Sequence, residues 1–194
     1  MSTQPKTFLT PEQYLEIERK AEYKSQYWRG EMFAMAGASA NHNSLAVNLV
    51  IDVGGQLRGR DCRAYGSDMR VQTSPDGLYT YPDLSVVCGK PKLADSKFDT
   101  LENPTLIAEI LSASTEGYDR GEKFEQYRSI SSLKQYLLVT QDRAHVELYT
   151  RQPDGQWLLC EASGLDQFIN LDSIGCRLAL EDLYDKVDFT ATGT

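Results

Sequence analysis

The stretch from Pro104 to Tyr127, PTLIAEILSASTEGYDRGEKFEQY, constrains the fold of this chain more than any other. Leu106, Ala108 and Ile110 alternate with Ile107, Glu109 and Leu111, so a strand here has two mostly apolar faces and sets one carboxylate among aliphatics. An unpaired carboxylate in that setting loses hydration worth on the order of several kcal/mol. Glu109 therefore requires a cation as partner, either a side chain or a metal. A small-residue loop through Ser112, Ser114 and Thr115 follows, and then a helix that carries Lys123.

Upstream, Tyr81 to Cys88 reads as a second strand, entered through Pro82 and opened by Asp83. Proline is tolerated there because the first residue of a strand need not donate to the ladder. The chain order is thus Pro-Asp at one strand, Glu in the next and Lys on the helix after it. Two carboxylates and an ammonium brought together would hold a divalent metal and position a water, the parts that phosphodiester hydrolysis needs.

Pro82-Asp83, Ala108-Glu109-Ile110-Leu111-Ser112 and Tyr118-Asp119-Arg120-Gly121-Glu122-Lys123-Phe124 together resemble the signature of the Uma-type restriction endonuclease family, part of the PD-(D/E)XK nuclease superfamily. The likeness runs from about Thr10 to about Leu183. It implies a restriction-endonuclease-like α/β fold. The superfamily motif is Glu-x-Lys, whereas this chain has Glu109-Ile110-Leu111, and the resemblance implies Lys123 as the replacement. Read without it, Lys123 is an ordinary surface lysine. Tyr127, four residues on, shares its helix face and either supports the lysine or packs.

Of the 194 residues, 41% are hydrophobic and 25% charged, which suits one soluble domain over residues 1–194, with a core of about 10–186 and short flexible termini. No apolar run approaches the roughly 20 residues that cross a bilayer, and MSTQPKTF lacks a signal-peptide core, so the expected location is cytoplasmic with no membrane contact. Cys62, Cys88, Cys160 and Cys176 show no paired zinc spacing and read as reduced thiols. A formal net charge of -8 weighs against strong nonspecific DNA binding, since that affinity comes from Lys and Arg neutralising phosphates. It leaves room for a local basic rim.

Thr10-Pro11-Glu12-Gln13 predicts a capped helix to about Ala21, and Tyr23 to Ala36 a hairpin turning at Arg29-Gly30. Glu31 reads as a turn residue, or by the resemblance as a neighbour of the site. Ser39 caps a second helix whose core stripe starts at His42. That histidine is either directed at the metal site or a packing residue. Asp68, before the strand Met69 to Thr73, reads as turn chemistry or a third acid at the site. The polar run Gly89 to Asn103 reads as a solvated loop, and Asp119-Arg120-Gly121-Glu122 as a capping box. Gln135 to Thr140 and Arg143 to Thr150 read as strands, with His145 and Glu147 on a wet face, and Thr190 to Thr194 as a disordered tail.

The order helix, hairpin, helix, strands, helix and meander predicts an α/β domain with a mixed central β-sheet flanked by α-helices. The leading expectation is a Mg²⁺-dependent (or Mn²⁺-dependent) DNA endonuclease, with no organic cofactor. Asp83 and Glu109 hold the metal, a backbone carbonyl near Ile110 is a candidate further ligand, and Lys123 orients the water or stabilises charge on phosphorus. Cutting both strands of a duplex calls for a homodimer. Two other readings stay open: a catalytically silent nuclease-like fold that binds nucleic acid or protein, and a structural protein with a buried Glu109–Lys123 ion pair.

Overall fold

The Thr10 hydroxyl accepts from Gln13 N while Gln13 Oε1 accepts from Thr10 N, closing the capping box of helix α1 (Pro11–Glu18). The computed structural model describes residues 8–97 and 99–191. Helix α1 stops short of Ala21 because Glu18 turns inward, accepting from Ser25 N at 2.8 Å and from the Tyr81 hydroxyl at 2.9 Å. Strands β1 (Ser25–Trp28) and β2 (Glu31–Ala34) form the expected hairpin. Its tight turn takes positive φ at Arg29 (49°) and Gly30 (85°), the hand that suits the strands' twist.

Helix α2 (Ala40–Gln56) begins at Ser39, whose hydroxyl accepts from His42 N at 3.0 Å, and buries Leu45, Leu49 and Val53. Strands β3 (Cys62–Gly66), β4 (Arg70–Gln72), β5 (Tyr79–Thr80), β6 (Leu84–Cys88), β7 (Thr100–Leu101) and β8 (Leu106–Ile110) follow. Next come α3 (Glu116–Tyr118), one π-helical turn (Asp119–Lys123) and α4 (Phe124–Tyr127). The meander is β9 (Gln135–Val139), β10 (His145–Arg151) and β11 (Trp157–Ser163), and β12 (Phe168–Leu171), β13 (Cys176–Ala179) and α5 (Leu180–Leu183) close the chain.

The central sheet has the order β11-β10-β9-β8-β6-β3, parallel only between β8 and β9, so it is mixed. Its alternation sorts side chains to two layers. Leu84, Val86, Leu106, Ala108 and Ile110 pack with Leu45, Leu49 and Val53 of α2 on one face. Val87, Ile107, Leu111 and Tyr136 pack with Phe124 and Tyr127 of α4 on the other. A second sheet, β2-β1-β5-β4-β7, is joined to α1 where Tyr14 stacks on Tyr27 with ring centres 5.1 Å apart. A hairpin of β12 and β13 adds Ile169, Leu171 and Leu178 to the α2 layer.

Four expectations need correction. The polar loop from Gly89 to Asn103 is partly paired, with β7 running parallel to β4 and Leu93 bridged to Leu101. His145 and Glu147 lie on a buried face, 9% and 7% exposed, with Arg120 of the π turn bonded to Glu147. Cys62 and Cys88 are not free thiols. They stand opposite each other on β3 and β6 with Cα atoms 3.9 Å apart, joined by a disulfide that 26 residues of separation hide from a spacing argument. Finally, Phe189–Ala191 forms a 3-10 turn, so the tail has structure up to Ala191; its last residues, 192–194, lie outside the described ones. Among the described residues no helix is long and apolar enough to cross a membrane.

Alkylation of the unfolded chain without reductant should label two thiols, Cys160 and Cys176, and all four after reduction. Four labels without reductant would show that the bridge does not form.

Candidate functional site

The site is built where β6 and β8 run side by side and the turn of the next helix crosses them. Asp83 stands just ahead of β6, which pairs antiparallel to β8 with Leu84 opposite Ala108. Its Oδ2 accepts from Ile110 N at 2.7 Å, a bond that fixes the carboxylate to the end of the Glu109 strand. From α2, His42 Nε2 reaches Asp83 Oδ1 at 3.3 Å. Burial works against the charged imidazole, but the Asp83 hydrogen bond and the charges of Asp83, Glu109 and Asp119 outweigh it, and its pKa rises.

Glu109 sits on the opposite face of β8 from α2, and its Oε1 takes two donors. Lys123 Nζ lies 2.8 Å away and the Tyr127 hydroxyl 2.6 Å away. The same ammonium contacts Asp119 Oδ1 at 3.1 Å. These three charged side chains are nearly closed to solvent, at 5–7% exposure. Burial drives the Glu109 carboxyl up, Asp119 and Asp83 push the same way, and Lys123 pulls back, leaving it at about 7. For Lys123, burial is outweighed by Glu109 and Asp119, which hold it protonated well above the usual lysine range.

Asp119, Lys123 and Tyr127 are four residues apart. In a regular α-helix each such step overshoots a turn by about 40°, so the three would fan out. The wider π turn over Asp119–Lys123 takes back part of that drift and aims all three at one strand. Tyr136 braces the turn, its hydroxyl donating to the Asp119 carbonyl at 3.0 Å. Leu111, two residues after Glu109, is 3% exposed and packs in the layer of Phe124 and Tyr127.

The structure therefore brings together Asp83, Glu109, Lys123, His42 and Tyr127. Asp119 joins them against expectation: its carboxylate lies within the helix on Lys123 and makes no cap bond. The four-residue stripe was the signal for it. Asp68 does not join; it is an exposed acid paired with Lys24 at 2.6 Å. Glu31 opens β2 opposite Trp28, on the other sheet.

A family described as "Uma2: Putative restriction endonuclease" matches residues 11–181. The Synechocystis sp. protein described as "Uncharacterized protein slr1290" is 37% identical over 181 residues, 93% of this chain and 94% of its own. A second from that organism, "Uncharacterized protein sll1609", is 42% identical over 156 residues, 80% of this chain and 88% of its own. The fold is shared with the crystal structure titled "a putative nuclease belonging to DUF820" from Anabaena variabilis. That match has a TM-score of 0.74 and 18% identity, over 91% of this chain and 98% of that one. The architecture is thus the restriction-endonuclease-like α/β fold.

Two stability outcomes follow from the burial. The folded Glu109 value, about 7, lies above its ordinary 4.5, so the folded chain holds that proton more tightly and loses stability as pH rises through this window. His42 acts in the same direction: its contribution is complete below its ordinary 6.5 and is lost as pH climbs past the raised value. Unfolding free energy in EDTA should fall by on the order of 2 kcal/mol between about pH 5 and 7.5, and Glu109→Gln should flatten that slope; a stability that rises over this range would contradict it. Lys123→Ala, which strands two buried acids, should cost about 3–5 kcal/mol in denaturant titrations, and less in a Glu109→Gln background.

Proposed function

The chain belongs to the Uma2 family, and from that premise we propose that it is a metal-dependent DNA endonuclease centred on Asp83, Glu109 and Lys123. The observation that carries the reading is charge. Asp83, Glu109 and Asp119 crowd one ammonium, so the centre holds more buried negative charge than Lys123 and a protonated His42 offset. A divalent cation suits that excess, and the hard oxygen donors suit Mg²⁺ or Mn²⁺. Asp83 and Glu109 would hold it; both donors on Glu109 converge on Oε1 and leave Oε2 to the ion. When bound, the ion supplies Lewis acidity to the phosphate and lowers the pKa of a water.

The remaining steps belong to the protein. Lys123 has three protons, of which Glu109 and Asp119 engage two, and the third can steady a water or a phosphate oxygen as charge develops. Tyr127 fixes the Glu109 carboxylate, and His42 with Ile110 N fixes Asp83. Duplex cleavage would use two copies of the chain. The net charge of -8 limits nonspecific affinity for the phosphate backbone.

A silent ion-pair reading has one observation in its favour: Lys123 and Glu109 already satisfy each other at 2.8 Å. Supercoiled plasmid with Mn²⁺ separates the two. Nicking should be present in the natural chain and reduced about a hundredfold or more in Asp83→Asn and in Lys123→Gln. Intact plasmid across Mg²⁺ and Mn²⁺, with calorimetry showing no ion bound to the folded chain, would sink the endonuclease and leave the ion pair as structure.

A further inference from the structure

A second group of ligand-bearing side chains lies on the same sheet face, two strands away from Glu109. His145 and Glu147 are successive inward residues of β10, and Ser163 and Glu161 face them on β11. His145 Nδ1 lies 2.7 Å from Ser163 Oγ. With Nδ1–H donating there, Nε2 keeps its lone pair and points at two carboxylates, Glu161 Oε1 at 3.5 Å and Glu147 Oε1 at 3.7 Å. Those separations are too long for good hydrogen bonds. They match two ligands of one ion instead: donors about 2.1 Å from a tetrahedral Zn²⁺ stand roughly 3.4 Å apart. All three donor atoms lie within 4.8 Å of one another.

We propose that His145, Glu147 and Glu161 form a site for a Zn²⁺-class ion, separate from the Asp83–Glu109 centre. Glu147 and Glu161 are directly opposed in the ladder, an arrangement that repels without a cation between them. Arg120 is the cation at hand. Its Nη2 meets Glu147 Oε1 at 2.7 Å, its Nε lies 3.2 and 3.3 Å from the two Glu147 oxygens, and its Nη1 meets Glu116 at 2.8 Å. One guanidinium among Glu116, Glu147 and Glu161 leaves two negative charges over, the charge of one divalent ion. A carboxylate has about four acceptor positions, so Arg120 can orient Glu147 without consuming it as a ligand.

One imidazole and two carboxylates favour Zn²⁺ over Mg²⁺, and three protein ligands leave a fourth position to water. The Glu161 side chain is 55% exposed and gives the ion an entry path, whereas the side chains of His145 and Glu147, at 11% and 10%, are held in place. The ion would tie edge strand β11 to β10 and, through Glu147 and Arg120, to the turn that carries Lys123.

The full chain titrated with Zn²⁺ in excess Mg²⁺ tests this. One Zn²⁺ equivalent should persist in Asp83→Ala and weaken at least tenfold in Glu161→Gln, an exposed substitution whose circular dichroism should match the natural chain. Co²⁺ in its place should give the intense visible bands of a four-coordinate ion, absent in Glu161→Gln. Equal Zn²⁺ stoichiometry and affinity in the natural and Glu161→Gln chains, or no Zn²⁺ bound by the natural chain, would overturn the site.

Discussion

The centre of the molecule depends on one buried ion pair, Glu109 with Lys123. Taking two charges out of water costs several kcal/mol each, and their mutual attraction repays that only when further hydrogen bonds complete the shell. Here the shell is Tyr127 on the carboxylate and Asp119 on the ammonium, with Tyr136 bracing the turn from below. A leucine and a methionine of similar volume would fill the space more cheaply. The charged version brings chemistry that an apolar pair lacks: an acid held at about 7 beside a lysine kept fully protonated.

The sheet register extends this arrangement sideways. Glu109 stands opposite Leu138, Leu138 opposite Glu147, and Glu147 opposite Glu161. Along this row two acid stations lie about 10 Å apart, separated by one leucine. A single helical turn serves both, with Lys123 on Glu109 and Arg120 on Glu147. Neither station has as much positive charge as negative, and each is therefore read as a place for an ion.

Much of this was legible in the chain because it rests on local rules. The apolar alternation around Glu109 gave a doubly buried strand, Ser39 and Thr10 marked helix starts, and Arg29-Gly30 marked the hairpin. Together with the family signature, these placed Asp83, Glu109 and Lys123 in one neighbourhood. What escaped depends on pairing between distant segments. No spacing rule reveals that Cys62 faces Cys88, or that Glu147 lies under Arg120, since both follow from strand order and helix placement. Asp119 was misread because its capping spacing is real in sequence, while the helix begins earlier, at Glu116, and the turn over Asp119 widens.

The ammonium stands on a helix rather than on the strand beside its acid, so the centre joins two separately packed elements. The pairing of β6 with β8 sets Asp83 at the end of the Glu109 strand, whereas Lys123 meets Glu109 from a turn held by Phe124 and Tyr127 against Tyr136. Fraying of that helix alone would leave the acids in place and remove their lysine. The charge balance at the centre thus rests on the seating of that helix as much as on the pairing of the strands.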